Sequence, residues 1–158
     1  MTARAEPTTE ALSGLAAACE RALERLHDSK LPYPPDPDLV ALTESVRDET
    51  VMRLADRLVR TNTLFREANV AIAAAARQML IDPIPLICEC AAIRCTTIVK
   101  LSAIEVDELR ANPRWFLTLP EHELESGPHA RVVADRGSYL IIENIGVAAV
   151  TAAALPAQ

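Results

Sequence analysis

The chain has 158 residues, half of them hydrophobic, 3% aromatic and 24% charged, with a formal net charge of -6. That length gives one ordinary domain or two small ones with a real core, and the acidic balance weighs against general nucleic-acid binding. "MTARAEPTTEALSG" has no apolar core of a secretory leader, and "IGVAAVTAAALPA" at 145–157 is shorter than the about 20 apolar residues that span a bilayer. A cytoplasmic protein with no membrane partner is expected.

The first half reads as helix. Leu12, Leu15, Cys19, Ala22 and Leu26 alternate at three and four, one helix face, and predict a helix over about 9–27. "LPYPPDPD" breaks it, because each proline removes a backbone donor and restricts the residue before it. Asp36, Pro37 and Asp38 then form a helix start, with an acidic N-cap, proline at the first helical position and a second acid near the positive dipole end.

The second helix is expected over about 38–80. Val51, Leu54, Leu58, Thr61, Phe65, Ala68, Ile72, Ala75 and Met79 hold an unbroken coiled-coil-like spacing. Leu39, Leu42 and Val46 follow another register, so a stutter or bend is expected near Arg47 to Thr50. The two helices can form a hairpin. The longer one then has a distal seam that needs a further partner: a second copy, another protein or the chain's own second half. Arg53, Arg57 and Arg60 share one face of it; with Asp56 among them, a solvated charged face is favoured over a nucleic-acid stripe. Cys19 falls on the first helix's seam as a buried thiol, and His27 near its end suits the negative dipole end.

Near residue 81 the period changes. "IPLICEC" and "CTTIVKL" read as strands, "SAIEVDELRANP" as a helix with a capping box of Ser102 and Glu105, ended by Pro113, and "RWFLTLP" as a strand with Trp115 and Phe116 in the core. "ARVVADRGSYLIIENIG" reads as a hairpin with Arg136 and Gly137 at its turn. The expected fold class is α+β: a helical arm over 1–80 followed by a small α+β module over 81–158.

Cys88, Cys90 and Cys95 stand as C-x-C-x4-C between two strands. In a reducing compartment such clustering points to metal or redox chemistry more than to a structural disulfide. Buried core thiols are the plain alternative, since Cys88 and Cys90 would share one face of a strand. Zinc takes four tetrahedral sulfur or nitrogen ligands, and His122 in "LPEHELE" or His129 in "SGPHARV" could supply the fourth. Glu89 and Glu123 flank these residues as solvated groups or supports of the ligands rather than as ligands. The sequence contains no H-E-x-x-H, no G-x-S-x-G and no phosphate-cradling glycine loop.

"LFREANVAI" at 64–72, the "CEC" and third cysteine, "ELRANPRWFLTLPEHE" at 108–123 and "YLIIENIG" at 139–146 together resemble a family of small, largely uncharacterised actinobacterial proteins. Its pattern has an F-R-E-x-N helix, C-E-C-G with a third cysteine, a helix ending in x-P-x-x-F, a P-G-H-E loop and a hairpin ending near V-E-K-x-G. The resemblance implies a Cys3His site of Cys88, Cys90, Cys95 and His122, and leaves His129 out. It supplies no activity. Ala91 and Glu121 depart from it, standing where the family tends to have glycine. A site closed by four protein ligands implies one structural zinc and no catalytic residue. The expected function is a non-enzymatic regulatory or adaptor protein that dimerises or binds a partner through the long helix. A redox-sensing thiol/zinc switch and a DNA-associated regulator using Arg53, Arg57 and Arg60 are the alternatives.

Overall fold

A computed structural model describes residues 7–28, 30, 34–90, 92 and 94–154. The fold is α+β, in the order α1 (Thr9–Leu26), α2 (Pro37–Gln78), β1 (Ile84–Ile87), β2 (Ile98–Leu101), α3 (Ala103–Ala111), β3 (Trp115–Thr118), a 3-10 segment (His122–His129), β4 (Ala130–Asp135), β5 (Leu140–Asn144) and α4 (Gly146–Ala154). Among the described residues no helix is long and apolar enough to cross a membrane.

The chain separates into two compact units, Met1–Ala55 and Asp56–Gln158. The division therefore runs through α2 and not at the change of period near residue 81. In the first unit Thr8 caps α1, its hydroxyl accepting from the Ala11 N–H at 3.1 Å. Leu12, Cys19 and Leu23 are the buried positions of α1, while Leu15, expected on that face, is 46% exposed. A hydrogen bond of 2.8 Å joins His27 Nδ1 to the Leu23 carbonyl at the helix end. The Asp36 carboxylate accepts from the Asp38 N–H at 2.9 Å, as an acidic N-cap should. Arg47 of α2 pairs with Glu20 of α1 at 3.7 Å, so the unit is a helical hairpin. The break expected at "LPYPPDPD" lies partly outside the described residues. α2 is helical through Arg47 to Thr50, where a stutter was expected, and the Thr50 hydroxyl donates to the Val46 carbonyl at 2.7 Å.

In the second unit, Ala73 and Ala76 of α2 enter a core with Ile84 and Leu86 of β1, Val99 and Leu101 of β2, Val106 and Leu109 of α3, and Leu117, Tyr139 and Ile141 around the second sheet. That packing places this part of α2 with the module. Leu58 and Thr61 of the apolar seam read in the sequence are buried. Beyond them the buried face turns from that seam: Asn62, Asn69 and Ala73 lie inside, whereas Phe65, Ala68, Ile72 and Ala75 are half-buried and Met79 is exposed. Periodicity of apolar residues misplaces the face because two of its deepest positions are asparagines.

β1 and β2 pair antiparallel, Ile84 opposite Leu101 and Ile87 opposite Ile98. The second sheet is antiparallel in the order β3-β5-β4. The β4–β5 turn holds Arg136, whose N–H donates to the Tyr139 carbonyl at 3.0 Å, and Gly137 at φ 78°. Trp115 is half-buried and Phe116 is 4% exposed. α4 is an element the sequence reading did not anticipate.

Two helix ends yield measurable consequences. α2 closes on Leu80 at φ 56°, with the Ile81 N–H on the Ala76 carbonyl (2.9 Å) and the Leu80 N–H on the Arg77 carbonyl (3.2 Å). This is the left-handed cap that glycine usually occupies. Leu80 is 91% exposed, so its side chain contributes little packing. Leu80→Gly is expected to raise stability by about 0.5–1 kcal/mol, read from urea midpoints. At α3 the capping box forms in full, the Glu105 carboxylate accepting from the Ser102 N–H at 2.7 Å and its hydroxyl at 2.8 Å. The Ser102 backbone, then its hydroxyl, hold Glu105 below the usual carboxylate range. Its folded pKa is therefore below its unfolded one. The contribution is complete above about pH 4.3 and fades as pH falls through the folded value. The stability gap between wild type and Glu105→Gln should be largest near neutrality and close in acid, measured by unfolding at both pH values.

Candidate metal centre

β1 and β2 converge on the cysteines. The ladder extends one residue past β1, with the Cys88 N–H on the Thr97 carbonyl at 2.9 Å, and a turn brings the Cys95 N–H to the Ala92 carbonyl at 2.9 Å. The expected glycine-like position Ala91 lies outside the described residues. His122 arrives from the other side, at the start of the 3-10 segment after β3. Its Nδ1 stands 3.6 Å from Cys88 Sγ and 3.5 Å from Cys95 Sγ. The ligand atoms of Cys88, Cys90, Cys95 and His122 all lie within 4.8 Å of one another. Cys88 and Cys90 are fully buried, Cys95 is 9% exposed, and the thiols are free.

These distances fit a metal. Zn–S near 2.3 Å and Zn–N near 2.0–2.1 Å at a tetrahedral angle put sulfur and nitrogen about 3.6 Å apart, as found for both Cys–His pairs. Donors to sulfur are in place. The Thr118 hydroxyl is 3.6 Å from Cys88 Sγ. The neighbouring Cys90 side chain, helped by Thr118 and the backbone of Leu119 and Cys90, holds Cys88 below the usual thiol range against the effect of burial. Cys88 and burial push Cys90 above that range.

His129 is not in the cluster. It is 7% exposed, burial lowers its pKa, and its backbone carbonyl accepts from the Ile145 N–H at 2.8 Å. It is a neutral core histidine. Of the three arginines read as a possible stripe, Arg53 pairs with Glu49 at 2.6 Å and Arg60 with Asp56 at 2.8 Å, and Arg57 also has a partner. Cys19 lies in the other unit, buried and free.

Glu89 is the functional residue whose depth the sequence reading missed. It is 0% exposed. Its carboxylate accepts from Asn69 Nδ2 (2.9 Å), from the Leu117 N–H (2.8 Å) and from the Arg110 guanidinium. Its own N–H donates to the Leu117 carbonyl at 2.6 Å, and its carbonyl accepts from Asn62 Nδ2. Asn69 also brackets Ile87, accepting its N–H and donating to its carbonyl, each at 2.7 Å. Arg66 reaches the Pro113 and Trp115 carbonyls and lies 5.5 Å above the Phe116 ring. A sequence signal existed, namely charged and amide residues at fixed spacing in "FREAN" opposite a "CEC", but spacing alone does not reveal burial. Glu123 is half-buried, with its Oε2 lacking a hydrogen-bond partner among the described residues.

Glu121, just before His122, has φ 72° and ψ -21°. This is a left-handed backbone, so the position favours the glycine that the resembled pattern carries there. Glu121→Gly is expected to stabilise the metal-free chain by about 0.5–1 kcal/mol, read by thermal or urea unfolding.

Compared with protein-family models, curated proteins and solved structures, the chain gives no match. The reading of the site therefore rests on its own geometry.

Proposed function

We propose that the chain is a non-enzymatic adaptor or regulatory protein whose module is pinned by one structural zinc at Cys88, Cys90, Cys95 and His122. The observation that carries this is the convergence of three thiols and one imidazole nitrogen within 4.8 Å of one another, with His122 at 3.6 and 3.5 Å from two of the sulfurs. Four protein ligands leave no coordination position for water or substrate, which is the mark of a structural zinc. The module has reason to use one, because its first sheet has two strands of four residues each, and such a pair is marginal by itself. The arm completes the proposal. Leu39 and Leu42 are 47% and 63% exposed on α2, apolar surface suited to a second copy of the chain.

Elemental analysis of purified protein is expected to give one zinc per chain, and Cys90→Ser is expected to lose most of it. A metal-free, fully folded wild type overturns the zinc reading. Light scattering on the same sample tests the arm: a dimer mass supports self-association, and a monomer at all concentrations removes it. The convergence of three free thiols also favours a second reading, a thiol switch. Thiol counting before and after mild peroxide distinguishes it, since an unchanging count leaves the site structural.

A further inference from the structure

Helices usually seat on a small core through apolar side chains. Over the stretch of α2 nearest the cysteines this one adds two buried amides to apolar residues such as Leu58 and Val59. Asn62 and Asn69 are both 0% exposed. They are seven residues apart, two turns on one face. Asn62 donates to the backbone carbonyl of Glu89, and Asn69 donates to its carboxylate at 2.9 Å. Asn69 further holds Ile87 by both backbone groups at 2.7 Å. The partners of these amides are thus the residue between Cys88 and Cys90 and the residue before Cys88, with Asn62 Oδ1 also accepting from Asn144 Nδ2 at 3.4 Å.

An apolar face would stay seated whatever the loop beneath it did. A buried amide stays only while its partner is presented, because an unsatisfied buried polar group carries the full desolvation cost. Seating of this part of α2 therefore depends in part on the path of residues 87–90, beside the contacts of Arg66 to the Pro113 and Trp115 carbonyls. A metal held by Cys88, Cys90, Cys95 and His122 would fix that path from the opposite side.

We propose that metal occupancy controls the seating of α2 around Asn62 to Asn69, so that the site acts as a metal-dependent clamp on the helix. This rests on the reading of the cluster as a metal site, and it assigns Asn62, Asn69 and Glu89 as positioning residues that act through the backbone beside and between the ligands. Linkage makes the effect reciprocal: the factor by which the seated helix strengthens metal binding is the factor by which metal favours seating. Arg110 and the Leu117 N–H support the arrangement by satisfying the rest of the Glu89 carboxylate.

The test uses the full chain, loaded with zinc and then stripped by chelator, with metal content measured on each sample. Hydrogen exchange is followed by mass spectrometry. Stripping is expected to speed exchange in peptides from 58–72 at least tenfold, and more than in β4 and β5. Asn62→Ala and Asn69→Ala, neither of which removes a ligand, are expected to weaken zinc by about 10–100-fold in competition with a chromophoric chelator. A chain that takes up zinc but shows unchanged exchange in 58–72 after verified removal overturns the clamp and leaves the zinc reading intact. A chain that takes up no zinc overturns both. If stripping unfolds the whole chain, the variants decide: weakened zinc supports the clamp, and wild-type affinity in both overturns it.

Discussion

A carboxylate with no solvent contact organises the second unit. Glu89 faces a guanidinium, an amide and a backbone N–H at once, and its own main chain is bonded on both sides. Removing one partner from a buried ion pair costs about 3–5 kcal/mol, because the remaining charge is left uncompensated. The position of β3, the orientation of α3 and the packing of the distal part of α2 all depend on that satisfaction. Burial and the neighbouring Arg110 lower the Arg66 pKa while Glu89 opposes them, which places Arg66 in the same electrostatic cluster.

This arrangement explains how two small sheets share one core. β3 is an edge strand of the second sheet, and its Leu117 exchanges backbone and carboxylate hydrogen bonds with Glu89, just past the end of β1. The edge is covered by the chain itself, which guards against pairing with other chains. In the central strand of the same sheet Glu143 of β5 gathers Arg131 (2.7 and 3.0 Å) and Arg114 (3.3 Å). The unit thus alternates apolar packing with a few polar knots. Such knots rigidify when every member is paired.

Several residues of the motifs read in the sequence have a physical task here. Arg66 and Asn69 of "FREAN" hold the Pro113 carbonyl, Ile87 and Glu89. Phe116 lies beneath Arg66, and Glu143 anchors two arginines. Much of the fold was legible beforehand. The starts of α2 and α3 were readable because capping is local chemistry, and that of α1 was read from its apolar spacing. The strands and the β4–β5 turn were readable because β-branched runs and a glycine announce them. The buried face of α2 was not, since two amides occupy places where a pattern reader looks for leucine.

The sequence by itself determined the element types apart from the 3-10 segment and α4, the capping box of Ser102 and Glu105, and a candidate ligand set in which three cysteines and one of two histidines had the right chemistry. These follow from short-range rules that act over a few residues. Tertiary structure alone decided that His122 meets the thiols while His129 turns into the core. It also decided that Glu89 is dry and not solvated. Both outcomes depend on which distant segments approach one another, and desolvation is a property of that assembly rather than of any local stretch.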